Sequence, residues 1–236
     1  METRDPLSGS PWSTPSTVAG FVQSPANEAL LQAAADEWRA AARLLDIGCG
    51  AGRNAVPLAR AGWDVYGVDL SLPMVTTARA RVAAAQLTDR ARVLLAPMDR
   101  LPFASASFDF IVAHGIWNLA RSGGEFRRAV DEAARVARPG CALFLFTFSR
   151  HTLPPEAEPA PGESFVFTQF SGQPQCFLTE EQLLAELSAA GFAPDPRVPL
   201  TEYNRPQPGT IRGGAPVIYE AAFSRLPPAL RTMNTR

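Results

Sequence analysis

One stretch, residues 44–69, limits what this chain can fold into more than any other. The apolar run Leu44-Leu45-Asp46-Ile47 leads into Gly48, Gly50 and Gly52, and a helical pattern starts at once from Arg53. Glycine adopts left-handed backbone without strain and carries no Cβ. A ligand can therefore lie directly on such a turn, where the next helix also presents unpaired N–H groups. A second apolar run, DVYGVDL at 64–70, follows that helix. Strand, helix and strand in this order make a parallel crossover unit.

The alternation continues along the chain. A helical pattern covers 71–85, with Ser71 placed to cap it and Pro73 in the first turn, where a missing N–H does no harm. ARVLLA at 91–96 and FDFIVAH at 108–114 read as further strands. Phe126, Val130, Ala133 and Ala137 line one face of a helix expected to stop at Arg138-Pro139-Gly140. CALFLFTF at 141–148 is a continuous apolar run of the kind found in central buried strands. Thr179 and Gln182 form a capping box ahead of Leu183, Leu184 and Leu187, and Gly191 fits the end of that helix. Two last strands are expected around 198–203 and 217–223. Strands crossed by helices in this order predict an α/β fold.

The 236 residues suit one domain rather than two. It divides into an N-terminal arm and helix (1–42), a ligand-binding core (43–148), an insertion (149–178) and a C-terminal helix with strands (179–236). Residues 1–17, rich in Pro, Ser and Thr, are expected to be extended or flexible. A helix is expected over 27–43, with Leu30, Leu31, Ala34 and Trp38 at helical spacing. The Pro-rich insertion, with Phe165, Phe167 and Phe170, breaks the alternation and is expected to act as a lid over a site.

Composition removes several chemistries. A formal net charge of -1 provides no basic surface for tracking phosphates, so the expected partner is a small molecule and not a nucleic acid. The sequence contains no Lys, which excludes Schiff-base chemistry and a P-loop lysine. Cys49, Cys141 and Cys176 lack metal-ligand spacing, and neither a metal site nor a disulfide framework is expected. No apolar run reaches membrane-spanning length, and the first residues lack a signal-peptide core. The expectation is a cytoplasmic protein with no membrane partner.

The glycine spacing discriminates between nucleotide ligands. A dinucleotide site needs G-x-G-x-x-G, whereas this turn is G-x-G-x-G with Arg53 where the third glycine would stand. Asp46, just ahead of the turn, would set negative charge beside a pyrophosphate, and a ligand carrying positive charge is the better guest. Asp69 ends the next strand, 17 residues beyond Gly52, where a carboxylate can accept both hydrogen bonds of a ribose diol.

Together these residues resemble the class I S-adenosylmethionine-dependent methyltransferases, whose signature is D-x-G-x-G-x-G followed by an acidic residue ending the second strand. Asp46, Gly48, Gly50, Gly52 and Asp69 match it, and the resemblance runs over residues 44–148. It implies a Rossmann-like, doubly wound fold: a mostly parallel seven-stranded sheet with helices on both faces and the last strand antiparallel. It further implies that Asp46, Gly48, Cys49, Gly50 and Gly52 hold the cofactor S-adenosylmethionine and that Asp69 holds its ribose. In the turn Met98-Asp99-Arg100, Asp99 would bond the adenine amino group, and Leu70 would pack on the ring.

The resemblance implies methyl transfer to a small-molecule N, O or S acceptor by in-line displacement. The competing reading is a non-catalytic module that binds the same cofactor on the same fold. His114 closes the fourth strand, at the carboxyl edge where open α/β sheets bind ligands. It is the candidate general base and a candidate cofactor contact. Phe21, Trp117, Phe165 and Phe167 are candidates for an aromatic substrate pocket. A thiol nucleophile at Cys49 is not expected, because a position between two glycines turns the backbone, not the side chain, toward the ligand.

Overall fold

A computed structural model describes residues 4–205 and 215–227. In chain order the helices are α1 (Pro15–Gln23), α2 (Glu28–Glu37), α3 (Ala55–Arg60), α4 (Leu72–Ala84), α5 (Gly123–Val136) and α6 (Glu180–Ala189). The strands are β1 (Arg43–Ile47), β2 (Asp64–Asp69), β3 (Ala91–Leu95), β4 (Phe108–His114), β5 (Ala137–Phe148), β6 (Val166–Phe167), β7 (Gln175–Cys176), β8 (Phe192–Pro194), β9 (Thr201–Tyr203) and β10 (Ile218–Arg225).

The main sheet runs β3-β2-β1-β4-β5-β10-β8, with β9 pairing β10 beside β8. The first five strands are parallel, and β10 inserts antiparallel next to β5. β1 is covered on both faces, so all of it beyond Arg43 is buried and it reads as an unbroken apolar run apart from Asp46. On one face α2 and α3 pack Leu30, Ala34, Val56 and Leu58 against Leu44, Phe110 and Phe144. On the other face α5 and α6 pack Phe126, Val130, Leu183 and Leu187 against Ile111, Leu143 and Leu145. Each of these large apolar side chains contributes about 1.5–3 kcal/mol through burial.

Several expectations are corrected. Among the described residues the sheet has eight strands, not seven, because its far edge is built from two short pieces. β8 pairs with Phe223 to Arg225 and β9 with Ile218 to Glu220. Pro196 and Pro199 fall between the two pieces and cannot donate to a ladder. The expected strand around 198–203 is therefore only Thr201–Tyr203, and β8 was not anticipated. The helix expected over 27–43 ends at Glu37, and Ala41 then takes φ 62 to turn the chain into β1. The helix after the glycines starts at Ala55. α5 ends at Val136, just ahead of Arg138-Pro139-Gly140 as expected, but β5 begins already at Ala137, so these three residues lie inside the strand, beside a register shift in its pairing with β4.

The N-terminal arm, expected to be extended or flexible, instead holds a short 3-10 turn at Pro11–Ser13 followed by α1, capped by Thr14 with Pro15 at its first position. Residues 1–3 of that expectation lie outside the described residues. The insertion after β5 is packed: β6 and β7 pair with each other, and Phe165, Val166 and Cys176 join the same core as α5. The capping box at Thr179 and Gln182 forms as expected.

Candidate functional site

At the carboxyl edge of the sheet the glycine turn is tied down on one side by backbone hydrogen bonds and overlaid at Gly50 by Phe21. The N–H groups of Gly48 and Cys49 both donate to the Val68 carbonyl, at 2.8 and 3.0 Å, which locks the turn to β2. Gly50 holds φ +52, and a Cβ there would stand 2.9 Å from Cδ1 of Phe21, so the aromatic ring lies directly on the glycine backbone. Gly48 and Gly52 face protein instead: a Cβ on either would meet the Ile116 side chain at 2.7 Å or Ala78 at 3.2 Å. Cys49 turns its thiol under Gly67 into a cluster with Val75, Ala78 and Val93. Burial pushes that thiol well above its ordinary pKa, aided by the charges of Asp46 and Asp69.

Two carboxylates flank the turn. Asp69 is held in shape by two backbone donors, Gly50 N to Oδ2 and Ser71 N to Oδ1, both at 2.9 Å. Burial raises its pKa in spite of these bonds. Asp46 is 1% exposed, and its Oδ2 has no hydrogen-bond partner among the described residues. Burial pushes its carboxyl up to about 7, only partly countered by the positive charge of Arg53. A buried carboxylate oxygen without a donor calls for a ligand that brings one, preferably with positive charge.

Next to it lies a polar network that includes residues the sequence did not single out. Arg53 Nη2 lies 2.9 Å from Nδ1 of His114, and Asn27 Nδ2 lies 3.2 Å from its Nε2. Arginine is donor only, so Nδ1 carries the lone pair and Nε2 the proton. The Asn27 amide is oriented by two further bonds: its Oδ1 accepts from Leu30 N, and its Nδ2 donates to Glu220 Oε2, both at 2.8 Å. The imidazole, stacked on Phe146 at 4.3 Å, therefore faces two donors with one lone pair to offer. Burial, reinforced by Arg53, lowers its pKa to about 4, and the ring is neutral throughout the physiological range. This arm-side network has a donor to spare at Arg53, whose side chain makes no other hydrogen bond among the described residues.

The remaining predicted residues fall into two groups. Leu70 and Met98 are half-buried beside the carboxyl edge. Asp99 pairs with Arg128 at 3.4 Å, and Arg100 is exposed. Trp117, Phe165 and Phe167 are 0%, 1% and 3% exposed. Trp117 and Phe165 both pack edge-on against Phe126 in the core, and Phe167 packs against Phe177. The structure thus brings Asp46, Gly50, Asp69, His114 and Phe21 to one place and leaves these three aromatic residues in closed packing. Asn27 and Glu220 escaped sequence reasoning because one looks like an ordinary helix cap and the other like an ordinary strand residue. Arg53 carried a signal, its position in place of a third glycine.

Comparison with known proteins fits this geometry. Residues 45–145 match the family model of a methyltransferase domain. The chain is 31% identical over 170 residues to the 27-O-demethylrifamycin SV methyltransferase of Amycolatopsis mediterranei, covering 71% of this chain and 60% of that protein. It is 37% identical over 123 residues to the demethylmenaquinone methyltransferase of a Parafrankia species, covering 46% of this chain and 47% of that protein. The chain thus spans between about half and three fifths of the length of these relatives. Among solved structures, a SAM-dependent methyltransferase of Methanosarcina mazei shares the fold, with a TM-score of 0.65, 21% identity and coverage of 86% of this chain and 99% of that one. The glycine turn, Asp46 and Asp69 all lie inside residues 45–145, the segment that is similar to a methyltransferase domain.

Proposed function

We propose that the protein transfers a methyl group from S-adenosylmethionine to an N, O or S atom of a small-molecule acceptor. The observation that carries this reading is the buried oxygen of Asp46 beside the glycine turn, which has no hydrogen-bond partner among the described residues. Asp46 would hold the cofactor's ammonium group, and Arg53, whose side chain makes no hydrogen bond among the described residues other than that to His114, would hold its carboxylate. Asp69 would hold the ribose hydroxyls, with Leu70, Met98 and Asp99 around the adenine. The relatives named for rifamycin and menaquinone substrates support a small-molecule acceptor, as does the near-neutral charge. No helix among the described residues is long and apolar enough to cross a membrane, and we read the site of action as the cytoplasm.

The bound cofactor supplies a methyl group on a sulfonium, whose departure as a neutral thioether needs no acid. The chain's own work is then alignment and exclusion of water. His114, neutral and at the carboxyl edge, is proposed to position the acceptor, and its lone pair would be freed if Arg53 turned to the cofactor carboxylate. Titration of S-adenosylhomocysteine against NADH, followed by methyl-transfer assays across amine, hydroxyl and thiol acceptors, tests the reading. Binding of NADH in place of S-adenosylhomocysteine would sink it, and cofactor binding without any transfer would favour a non-catalytic module.

A further inference from the structure

The segment ahead of α2 lies across the glycine turn and is held there unlike the rest of the chain. The 3-10 turn at Pro11–Ser13 and α1 contain no buried residue, whereas α2 buries Leu30, Ala33 and Ala34. The far end of the segment is fastened by polar contacts to the start of α4. Asp5 Oδ1 accepts from Leu72 N at 3.0 Å, Ser71 Oγ donates to the Trp12 carbonyl at 3.2 Å, and the hydroxyls of Ser13 and Ser71 are 3.3 Å apart. In the middle, the ring of Phe21 rests on Gly50, with Trp12 packed edge-on against it at 6.3 Å. At the near end Ser24 is extended and Pro25 follows, after which Asn27 anchors α2 to Asn54, Leu30 and Glu220.

We propose that residues 5–24 are a strap, hinged at 24–26, that must lift for the cofactor to enter or leave and that closes Phe21 over the glycine turn between these events. The proposal rests on the S-adenosylmethionine reading of the site. A segment with no buried residue in its 3-10 turn or in α1, held by Phe21 on Gly50 and a few hydrogen bonds to the start of α4, belongs to the part of a structure that opens locally at least cost. The root at Asn27 is fixed, so the motion is rotation about the short extended link and not detachment. In the closed position Phe21 lies against Gly50, across the approach to the turn that the cofactor needs, while Gly48 and Gly52 face Ile116 and Ala78 instead.

The pair Ser13→Cys and Ser71→Cys tests the strap, since two sulfurs at these positions need little movement to reach bonding distance. Cys49, Cys141 and Cys176 are buried, so mild oxidation acts on the new pair. Association of S-adenosylhomocysteine with the oxidised double variant is expected to be slower than with the same protein under reductant by about 100-fold or more. Protein loaded before oxidation should retain the ligand correspondingly longer. Equal rates with and without reductant would overturn the strap. Phe21→Ala gives a second, independent readout: a weakened strap speeds association and dissociation together, whereas faster dissociation alone would make Phe21 a fixed wall and refute the proposal. Failure of the wild-type protein itself to bind S-adenosylhomocysteine would overturn the cofactor reading, and the strap with it.

Discussion

Asp46 concentrates the chemistry of the site in one side chain. Its carboxyl is raised from 3.8 to about 7 by burial without a donor. A group whose folded pKa lies above its unfolded value contributes stability at low pH, and that contribution is lost as pH rises through about 7. Asp46→Asn removes the buried charge, so the ligand-free variant should unfold at a higher temperature than wild type at pH 8, by about 5 °C, with the gap closing toward pH 5.5. Calorimetry at the two pH values checks this, and a gap that stays constant with pH would assign the effect to packing. Ligand binding should move the other way. An ammonium binds the ionised carboxylate, so the affinity of wild type for S-adenosylhomocysteine should strengthen by about tenfold between pH 6 and pH 8, while Asp46→Asn binds weakly with little pH dependence. Asp46, the glycines and Asp69 were legible in the sequence because their relation is one of spacing along a single strand, turn and strand. Asn27 and Glu220 were not, because they are 193 residues apart and meet only through the fold.

Among the elements, legibility follows how local the stabilising contact is. The capping box of α6 is written within four consecutive residues and forms as read. α1 is hidden in a Pro-, Ser- and Thr-rich stretch because its order comes from Asp5, Trp12 and Ser13 reaching α4, contacts that no short window contains. The eight-strand count was missed for a similar reason: β8 is three residues long and is defined by its partner β10 alone. The two capped helices give a direct comparison. Thr179→Ala should cost about 1 kcal/mol, the usual loss for a cap. Asn27→Ala removes a cap too, but also strips Glu220, which is 8% exposed, of its donor. The expected cost is about 2 kcal/mol or more, because a buried carboxylate is left without a partner. Urea unfolding of both variants decides it, and equal losses would mean that Glu220 finds another donor.

Across the whole molecule, the two edges of the sheet treat buried acid groups in opposite ways. At the carboxyl edge Asp46 and Glu220 meet no cation at salt-bridge distance among the described residues, as suits a surface waiting for a ligand. At the amino edge of β4, Asp109 is 4% exposed and fully bonded: Arg39 Nη2 reaches Oδ1 at 2.6 Å, while Arg43 N and Arg138 Nη1 reach Oδ2 at 2.9 and 2.7 Å. Burial would raise its pKa, but the Arg43 N–H and the two guanidinium groups outweigh that and hold it below the usual carboxylate range. The sign is therefore opposite to that of Asp46: its stabilisation is present above the unfolded value and lost as pH falls through the folded one. Asp109→Asn should destabilise the protein by about 2 kcal/mol near pH 7, the figure kept low because both arginines are substantially exposed. Asp46 pairs with Val112, so the two sites stand three residues apart along the ladder, about 10 Å, and share no hydrogen-bond partner. Their effects should then add, and the double variant should fall within about 0.5 kcal/mol of the sum, close to wild-type stability at pH 8. A large deviation would show that the carboxyl edge and the base of the sheet are mechanically coupled, and that the cost of an open ligand site is not confined to the edge that holds it.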